Sequence, residues 1–205
     1  MTTTQDARAP HDERTLFVLA DEALDRVVAQ VADEQWGRRT AAEVTTSAGE
    51  DPTLREVIGY HAYDDAWVPA MLAGRTMDDG GPALEDDLLG EDPRAGFAAI
   101  VEQACTAARA LDDLDSTVHL SYGPYPAREY LWHITTFRTL RAVEIARLIG
   151  VDDTLPDELV AGVTAFTVPN LEQWRAMGIF GPEVQAPADA TPQERLLAMT
   201  GRRPR

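Results

Sequence analysis

The chain has 205 residues, enough for one domain with a sizeable core. Its net charge of −17, from 35 acidic and 18 basic residues, argues against nucleic acid and anionic membranes as main partners. One cysteine excludes an internal disulfide, and no apolar run approaches the roughly 18 residues of a membrane span. Because no signal peptide is visible, we expect a cytoplasmic protein.

The first part of the chain predicts a lead, one helix and a loop. Residues 1–12 are polar and without pattern, which predicts a disordered lead. A helix follows and ends at Trp36-Gly37, and residues 38–50 are small, polar and typical of a loop. The apolar face of this first helix consists of Leu16, Leu19, Ala23, Val27 and Val31.

Two Asp-Pro pairs predict the next helix starts. Asp51-Pro52 and Asp92-Pro93 each combine an N-cap aspartate with a first-turn proline, so the second and third helices are expected to begin there. Pro69 lies inside the second helix and cannot donate to the carbonyl of Asp65. We therefore expect a kink near Asp65.

The second half of the chain is again mainly helical. Residues 74–91 are rich in glycine and acid and predict a long loop. Residues 118–122 alternate in polarity, which predicts a short extended segment before Gly123-Pro124. A capping box at Thr191 opens the last helix. The helices predicted here span 126–150, 156–167 and 194–199.

Four long helices with little strand signal predict an all-α four-helix bundle. We assign the bundle to residues 13–150 and a C-terminal helical arm to residues 151–205. The arm carries Trp174 and Phe180, and we expect it to pack on the bundle because such large aromatic side chains are usually buried.

One pattern suggests a metal site. Glu129 and His133 are four residues apart, so a helix places both on one face. His61 lies at the centre of the apolar stripe of the second helix, where an imidazole needs a partner. These three residues would form a three-ligand site with an open fourth position, as in catalytic zinc sites. The alternative is an ordinary helix-face pair and a hydrogen-bonded core histidine.

Two further residues stand among apolar neighbours. Arg141 falls in the apolar stripe of the fourth helix, and a buried guanidinium requires an anion. That anion could be Asp65, a neighbouring glutamate or a carboxylate substrate. Cys105 lies among alanines without a cationic neighbour in the sequence, which predicts an inert core thiol. The apolar stripe around Arg141 consists of Tyr130, Ile134, Phe137, Ile145 and Leu148.

Five segments together resemble the DinB/YfiT-like four-helix-bundle superfamily. Within it, the chain is most similar to small stand-alone members of the actinobacterial group related to mycothiol-dependent maleylpyruvate isomerase. The resemblance covers about residues 15–205. The segments read E-Q-W, T-L-R-E-V-I-G-Y-H, P-A-R-E-Y-L-W-H, W-R-A-M-G-I-F-G-P-E-V and E-R-L-L-A-M-T-G-R-R-P.

This resemblance implies a DinB-like bundle of up-down-down-up type. The metal triad of the family maps onto His61, Glu129 and His133. Zinc is the first choice of metal, with nickel, iron or manganese as alternatives, and some members bind mycothiol. The resemblance also implies a small-molecule substrate, a small thiol as a second partner, and a homodimer.

The sequence departs from the isomerase in two places. Family members often carry a Pro-Cys and Trp motif before the first histidine, whereas residues 46–52 contain neither cysteine nor tryptophan. The chain also has no room for the extra C-terminal domain of the isomerase. Both departures argue against thiol use and against maleylpyruvate as the substrate.

Three functions follow as hypotheses. In the first, the metal activates a low-molecular-weight thiol whose thiolate adds to an electrophile, giving an isomerase or an S-transferase. Arg138 would then bind the cofactor, Arg141 would orient a carboxylate, and Asp65 would support a ligand or act as a base. The second is a metal-dependent hydrolase or lyase without thiol. The third is a non-enzymatic metal-binding or interaction protein.

The triad makes a prediction about metal content. Replacing a ligand, in His61→Ala or His133→Ala, should sharply lower the metal content while the protein stays helical. Asp65→Asn should weaken binding less, because loss of a supporting group costs about 10–100-fold in affinity. His119→Ala and His11→Ala are the controls. Elemental analysis that shows loss in His119→Ala but not in His61→Ala would place the site elsewhere.

Overall fold

The computed structural model describes residues 12–40, 51–84 and 86–204. Within these residues the chain forms six α-helices and one two-stranded sheet, so the all-α prediction is confirmed. The first compact unit is Glu13–Thr154 and the second contains residues 155–204. The helices of the first unit are α1 (Glu13–Val28), α2 (Leu54–Leu72), α3 (Pro93–Ala110) and α4 (Ala127–Ile149). Those of the second are α5 (Asp157–Ala176) and α6 (Pro192–Met199).

Helix α1 is central to the first unit. It packs against both α4 and α3, and α3 packs against α2. Its inward face buries Phe17 and Leu24 completely, and burial of each such side chain contributes about 1.5–3 kcal/mol. Helix α1 ends at Val28, so the predicted end at Trp36-Gly37 is wrong, and Val31, although buried, lies beyond the helix.

The predicted start of α2 at Asp51-Pro52 is wrong. The N-cap is Thr53, whose hydroxyl accepts a hydrogen bond from the backbone N–H of Glu56. The Glu56 carboxylate accepts in return from the Thr53 N–H, at 2.6 Å. This reciprocal capping box satisfies two otherwise unpaired donors, which an aspartate two residues earlier cannot do. Asp92 does cap α3 as predicted, with Pro93 in its first turn.

Two internal prolines leave their helices unbroken. Helix α2 continues through Pro69 to Leu72. Helix α5 continues through Pro169 to Ala176, so the predicted end at residue 167 is wrong. Ring contacts give a reason for this extension, because Trp174 lies 5.5 Å from the Phe166 ring and 5.3 Å from the Phe180 ring.

A β-hairpin connects α3 to α4. Strand β1 (Thr117–Leu120) pairs antiparallel with β2 (Gly123–Pro126), with Val118 opposite Tyr125. The extended segment is therefore confirmed, but Gly123-Pro124 belongs to the second strand instead of ending the first. Gly123 has a φ of 133°, a conformation that favours glycine. The hairpin contacts both α2 and α4.

Some predictions fall outside these observations. The lead at residues 1–12 lies outside the described residues except for Asp12, and so does much of the loop at 38–50. The packing of the arm at 151–205 on the bundle stays a prediction. Among the helices described, none is long and apolar enough to cross a membrane.

The capping box makes a stability prediction. Thr53→Ala should lower the free energy of unfolding by about 1 kcal/mol, because it leaves the first turn of α2 without its cap. Asp51→Ala is the matched control and should change it by less than about 0.5 kcal/mol. Urea denaturation of both variants measures the difference. The reverse order would mean that Asp51 caps the helix after all.

Candidate active site

A cavity of about 710 Å³ lies in the first unit, lined by α2, α4 and the hairpin. It combines a largely aromatic wall with a few polar side chains, the usual composition of a small-molecule site. The polar side chains on its wall are His61, Asp64, Ser121, His133, Arg138 and Arg141. The remaining lining residues are Tyr60, Tyr63, Trp67, Met71, Met77, Leu120, Tyr122, Tyr130, Ile134 and Phe137.

The cavity wall on α2 follows a second stripe that our sequence reasoning missed. Tyr60, Asp64, Trp67 and Met71 recur at spacings of three and four, so they share one face of the helix. This face lies beside the core stripe that contains His61. The helical spacing of the aromatic residues Tyr60 and Trp67 in this stripe could have been recognised in the sequence. On α4, Phe137 also lines the cavity and is 41% exposed, so its predicted place in the apolar core is wrong.

His61 lies between two arginines. Its Nδ1 contacts Nη1 of Arg138, and its Nε2 is 3.1 Å from Nε of Arg141. The imidazole is almost fully buried, and burial lowers its pKa well below the usual value, helped by the two guanidinium charges. His61 is therefore neutral at physiological pH. A neutral imidazole has only one acceptor nitrogen, so it can satisfy only one of these two donors.

Arg138 joins three helices through its buried guanidinium. Its Nη2 donates to Asp65 on α2 at 2.7 Å and to the backbone carbonyl of His61 at 3.0 Å. Its Nε lies 3.6 Å from a carboxylate oxygen of Asp21 on α1. Burial opposes the charge of Arg138, but these carboxyl groups, Asp65 foremost, raise its pKa overall. The guanidinium is the cation of a fully buried ion pair.

Asp65 and Asp21 are part of this buried cluster. Asp65 is fully buried and absent from the cavity wall, so its direct contact is Arg138 and not the space where a ligand would lie. Asp21 is also fully buried, and neither carboxyl oxygen forms a hydrogen bond. Burial, and then the nearby Asp65 charge, raise the pKa of Asp21 well above its usual value. This shift favours the protonated form of Asp21.

Asp64 is the carboxyl group that reaches the cavity. It lines the wall with 34% of its side chain exposed, and one carboxylate oxygen lies 3.7 Å from Nη2 of Arg138. Burial raises its pKa to about 6, although Arg138 opposes the shift. A group with this pKa can hold or release a proton near neutral pH. The sequence reasoning selected Asp65, one residue away, for the role of a base.

The anion that pairs with Arg141 is a neighbouring glutamate, which was one of the three alternatives named from the sequence. Its Nη1 lies 2.6 Å from a carboxylate oxygen of Glu144, three residues later on α4. Both side chains are largely buried. Arg141 also lines the cavity, so it presents a fixed cation there.

The three predicted metal ligands are in different surroundings. His133 lines the cavity, and its Nδ1 is 3.2 Å from the Tyr122 hydroxyl. Burial lowers the pKa of His133, and Glu129 opposes this. Glu129 itself is exposed and does not line the cavity. In the part of the chain that the structure describes, no three His, Cys, Asp or Glu side chains form a metal-ligating cluster.

This arrangement does not fit a divalent metal. A ligating histidine must direct a free nitrogen lone pair at the ion. Both ring nitrogens of His61 face guanidinium nitrogens instead, and a metal beside them would meet two like charges. The metal triad stays a prediction, and it requires His61 to exchange an arginine contact for the ion.

Two other residues named from the sequence have no contact with the cavity wall. Cys105 is buried, and burial raises the pKa of its thiol, which agrees with an inert core cysteine. His119 is exposed on β1 and is likewise not a lining residue.

Comparison with known proteins finds a solved structure with a similar fold. A crystal structure of a histidine-to-alanine mutant of the mycothiol-dependent maleylpyruvate isomerase matches 87% of this chain and 75% of that chain, with a TM-score of 0.59. The chain has a DinB-like fold. No protein-family profile and no curated protein matches the sequence. At 18% identity, the likeness of this DinB-like chain to the isomerase extends to the fold alone.

Asp64 predicts a pH dependence of stability. Its pKa is about 6 in the folded state against 3.8 ordinarily, so the folded protein binds more protons between these values. The stability that Asp64 contributes is therefore full below about pH 4 and is lost as the pH rises through 6. The wild type should lose stability relative to Asp64→Asn between pH 4 and 7, measured by urea denaturation. A pH-independent difference would contradict this assignment.

Proposed function

We propose that this protein is a small-molecule enzyme that uses a low-molecular-weight thiol in one of two ways. As an isomerase it would isomerise an electrophilic substrate, and as an S-transferase it would add the thiol to that substrate through its sulfur. Mycothiol is the candidate thiol, since the structurally similar isomerase is mycothiol-dependent. The observation that carries the proposal is the aromatic cavity whose lining includes neutral histidine, carboxyl and guanidinium side chains. Its volume of about 710 Å³ is within the range typical of small-ligand sites.

Thiol chemistry needs a thiolate, and the cavity has suitable groups to form one. The pKa of His133 is lowered by burial, so this histidine is neutral and can accept the thiol proton. Arg141 also lines the cavity, and although it is paired with Glu144, its guanidinium would favour a sulfur anion, because a cation lowers the pKa of a thiol. In this scheme the Nδ1–H of His133 donates to the Tyr122 hydroxyl oxygen, 3.2 Å away, which orients the ring and leaves Nε2 to accept the proton.

The product of the reaction depends on whether the thiolate leaves the substrate again or stays bound to it. Sulfur adds to one carbon of an electron-poor double bond, and the π electron pair moves onto the conjugated carbonyl. Rotation about the resulting single bond, followed by return of the electron pair and expulsion of the thiolate, gives the isomer. If the carbanion instead takes the proton from His133, the sulfur stays and the product is a thioether.

The donor count at His61 favours a substrate that carries acceptor oxygens. The imidazole has one acceptor nitrogen for two guanidinium donors, Arg138 and Arg141. A carbonyl or carboxylate oxygen in the cavity would pair with the second donor. Such charge-assisted hydrogen bonds are about twice as strong as neutral ones.

A metal at His61, Glu129 and His133 remains a separate prediction, and no step above depends on it. The alternative of a hydrolase or lyase would be favoured by a cavity lined with acids. The wall carries two arginines against one carboxyl group, Asp64, which favours the thiol hypothesis. A cytoplasmic location and a homodimer stay predictions.

Calorimetry with mycothiol and with glutathione tests the proposal. We expect the wild type to bind at least one thiol, and Arg141→Gln to weaken binding by about tenfold or more, because it removes the cation beside the sulfur. Arg109→Gln, which changes an exposed arginine paired with Glu22, is the matched control. If neither thiol binds, even with zinc added, the thiol part of the proposal fails.

A further inference from the structure

We propose that the guanidinium of Arg138 occupies the cation position of this site, so that the site is assembled without a divalent metal. This construction of the site is independent of the thiol chemistry. The observed contacts of His61 disagree with the predicted triad.

Arg138 places a positive charge against His61, as a bound metal ion would. Its Nη1 contacts Nδ1 of the imidazole, and its Nη2 donates to the backbone carbonyl of the same residue at 3.0 Å. A second guanidinium, that of Arg141, lies 3.1 Å from Nε2. Both ring nitrogens therefore already face a positive group. A metal would have to displace one of them.

The carboxyl groups around Arg138 explain why a cation is needed here. Asp65 is in direct contact at 2.7 Å, and Asp21 and Asp64 lie at 3.6 and 3.7 Å. Asp65 is fully buried, so water cannot compensate its negative charge. The guanidinium supplies the charge in a form that hydrogen-bonds several oxygens at once.

The third member of the predicted triad lies away from this cation. Glu129 is exposed on α4 and does not line the cavity, and His133 contacts Tyr122. A metal at the predicted position would therefore have to draw in Glu129 and displace a guanidinium from His61. The arrangement with Arg138 requires neither change.

Arg138 is then a positioning residue for His61, and its removal has a specific consequence. Without the guanidinium, the vacated space is bordered by the imidazole of His61 and the carboxyl groups of Asp21, Asp64 and Asp65. Nitrogen and oxygen donors of this kind bind zinc and similar ions. An Arg138→Ala protein should gain affinity for a divalent ion that the wild type lacks.

The wild type is tested first, by elemental analysis after purification without chelator and by melting with zinc or EDTA. We expect less than about 0.1 metal ion per chain and no shift of Tm with either addition. About one ion per chain that is lost in His61→Ala would overturn the proposal and establish the triad. Metal that persists in His61→Ala is bound elsewhere and agrees with the proposal.

The second test is chemical rescue. Arg138→Ala should melt well below the wild type and regain part of the loss with zinc or with millimolar guanidinium, neither of which should raise the wild-type Tm. Arg128→Ala, which removes a half-buried arginine of the same helix that is paired with Glu13 and Asp115, is the matched control. If Arg138→Ala is too unstable to purify, Arg138→Lys keeps the charge and should fold without metal. Zinc that raises the wild-type Tm as much as that of Arg138→Ala would overturn the proposal.

Discussion

The first unit depends on one buried guanidinium. Arg138 on α4 reaches Asp65 on α2 and lies beside Asp21 on α1, so a single charge is shared by three helices. Burial of an ion pair has a large desolvation cost, and loss of one partner typically costs about 3–5 kcal/mol. The arrangement is tolerable because burial raises the pKa of Asp21, which favours its neutral form, and because the guanidinium also donates to the backbone carbonyl of His61. The contacts of Arg138 fix the positions of α1, α2 and α4 relative to one another around the guanidinium.

The cavity is a consequence of the same arrangement. Helices α2 and α4 each pack mainly against another helix, α3 and α1 respectively, and leave a space between their remaining faces. The hairpin covers part of it with Tyr122, and the aromatic stripe of α2 forms the wall. Arg138 and Arg141 therefore contribute buried polar groups to a largely aromatic cavity, where charges act more strongly than in water. A site of this kind can bind and polarise a small ligand without moving its own side chains.

A shared fold leaves the chemistry of such a site open. The fold likeness to the mycothiol-dependent maleylpyruvate isomerase fixes the scaffold, while function depends on the side chains grafted onto it. In this chain those side chains are the two arginines at His61, the neutral His133 and the carboxyl group of Asp64. The proposed thiol dependence and the proposed metal independence are separate hypotheses about these residues, and calorimetry and elemental analysis test them separately.

The sequence alone determined that the chain is mainly helical, and it identified several polar residues of the site. Helical periodicity and capping signals are local, which is why α4 began and ended where expected, and why His61 and Arg141 were recognised as polar groups in apolar stripes. The choice between Thr53 and Asp51 as cap, and between Asp64 and Asp65 at the cavity, required the tertiary structure. Adjacent residues on a helix differ by about 100° in direction, so only packing decides which one faces a cavity. The partner of His61 comes from another helix, and no local pattern specifies that contact.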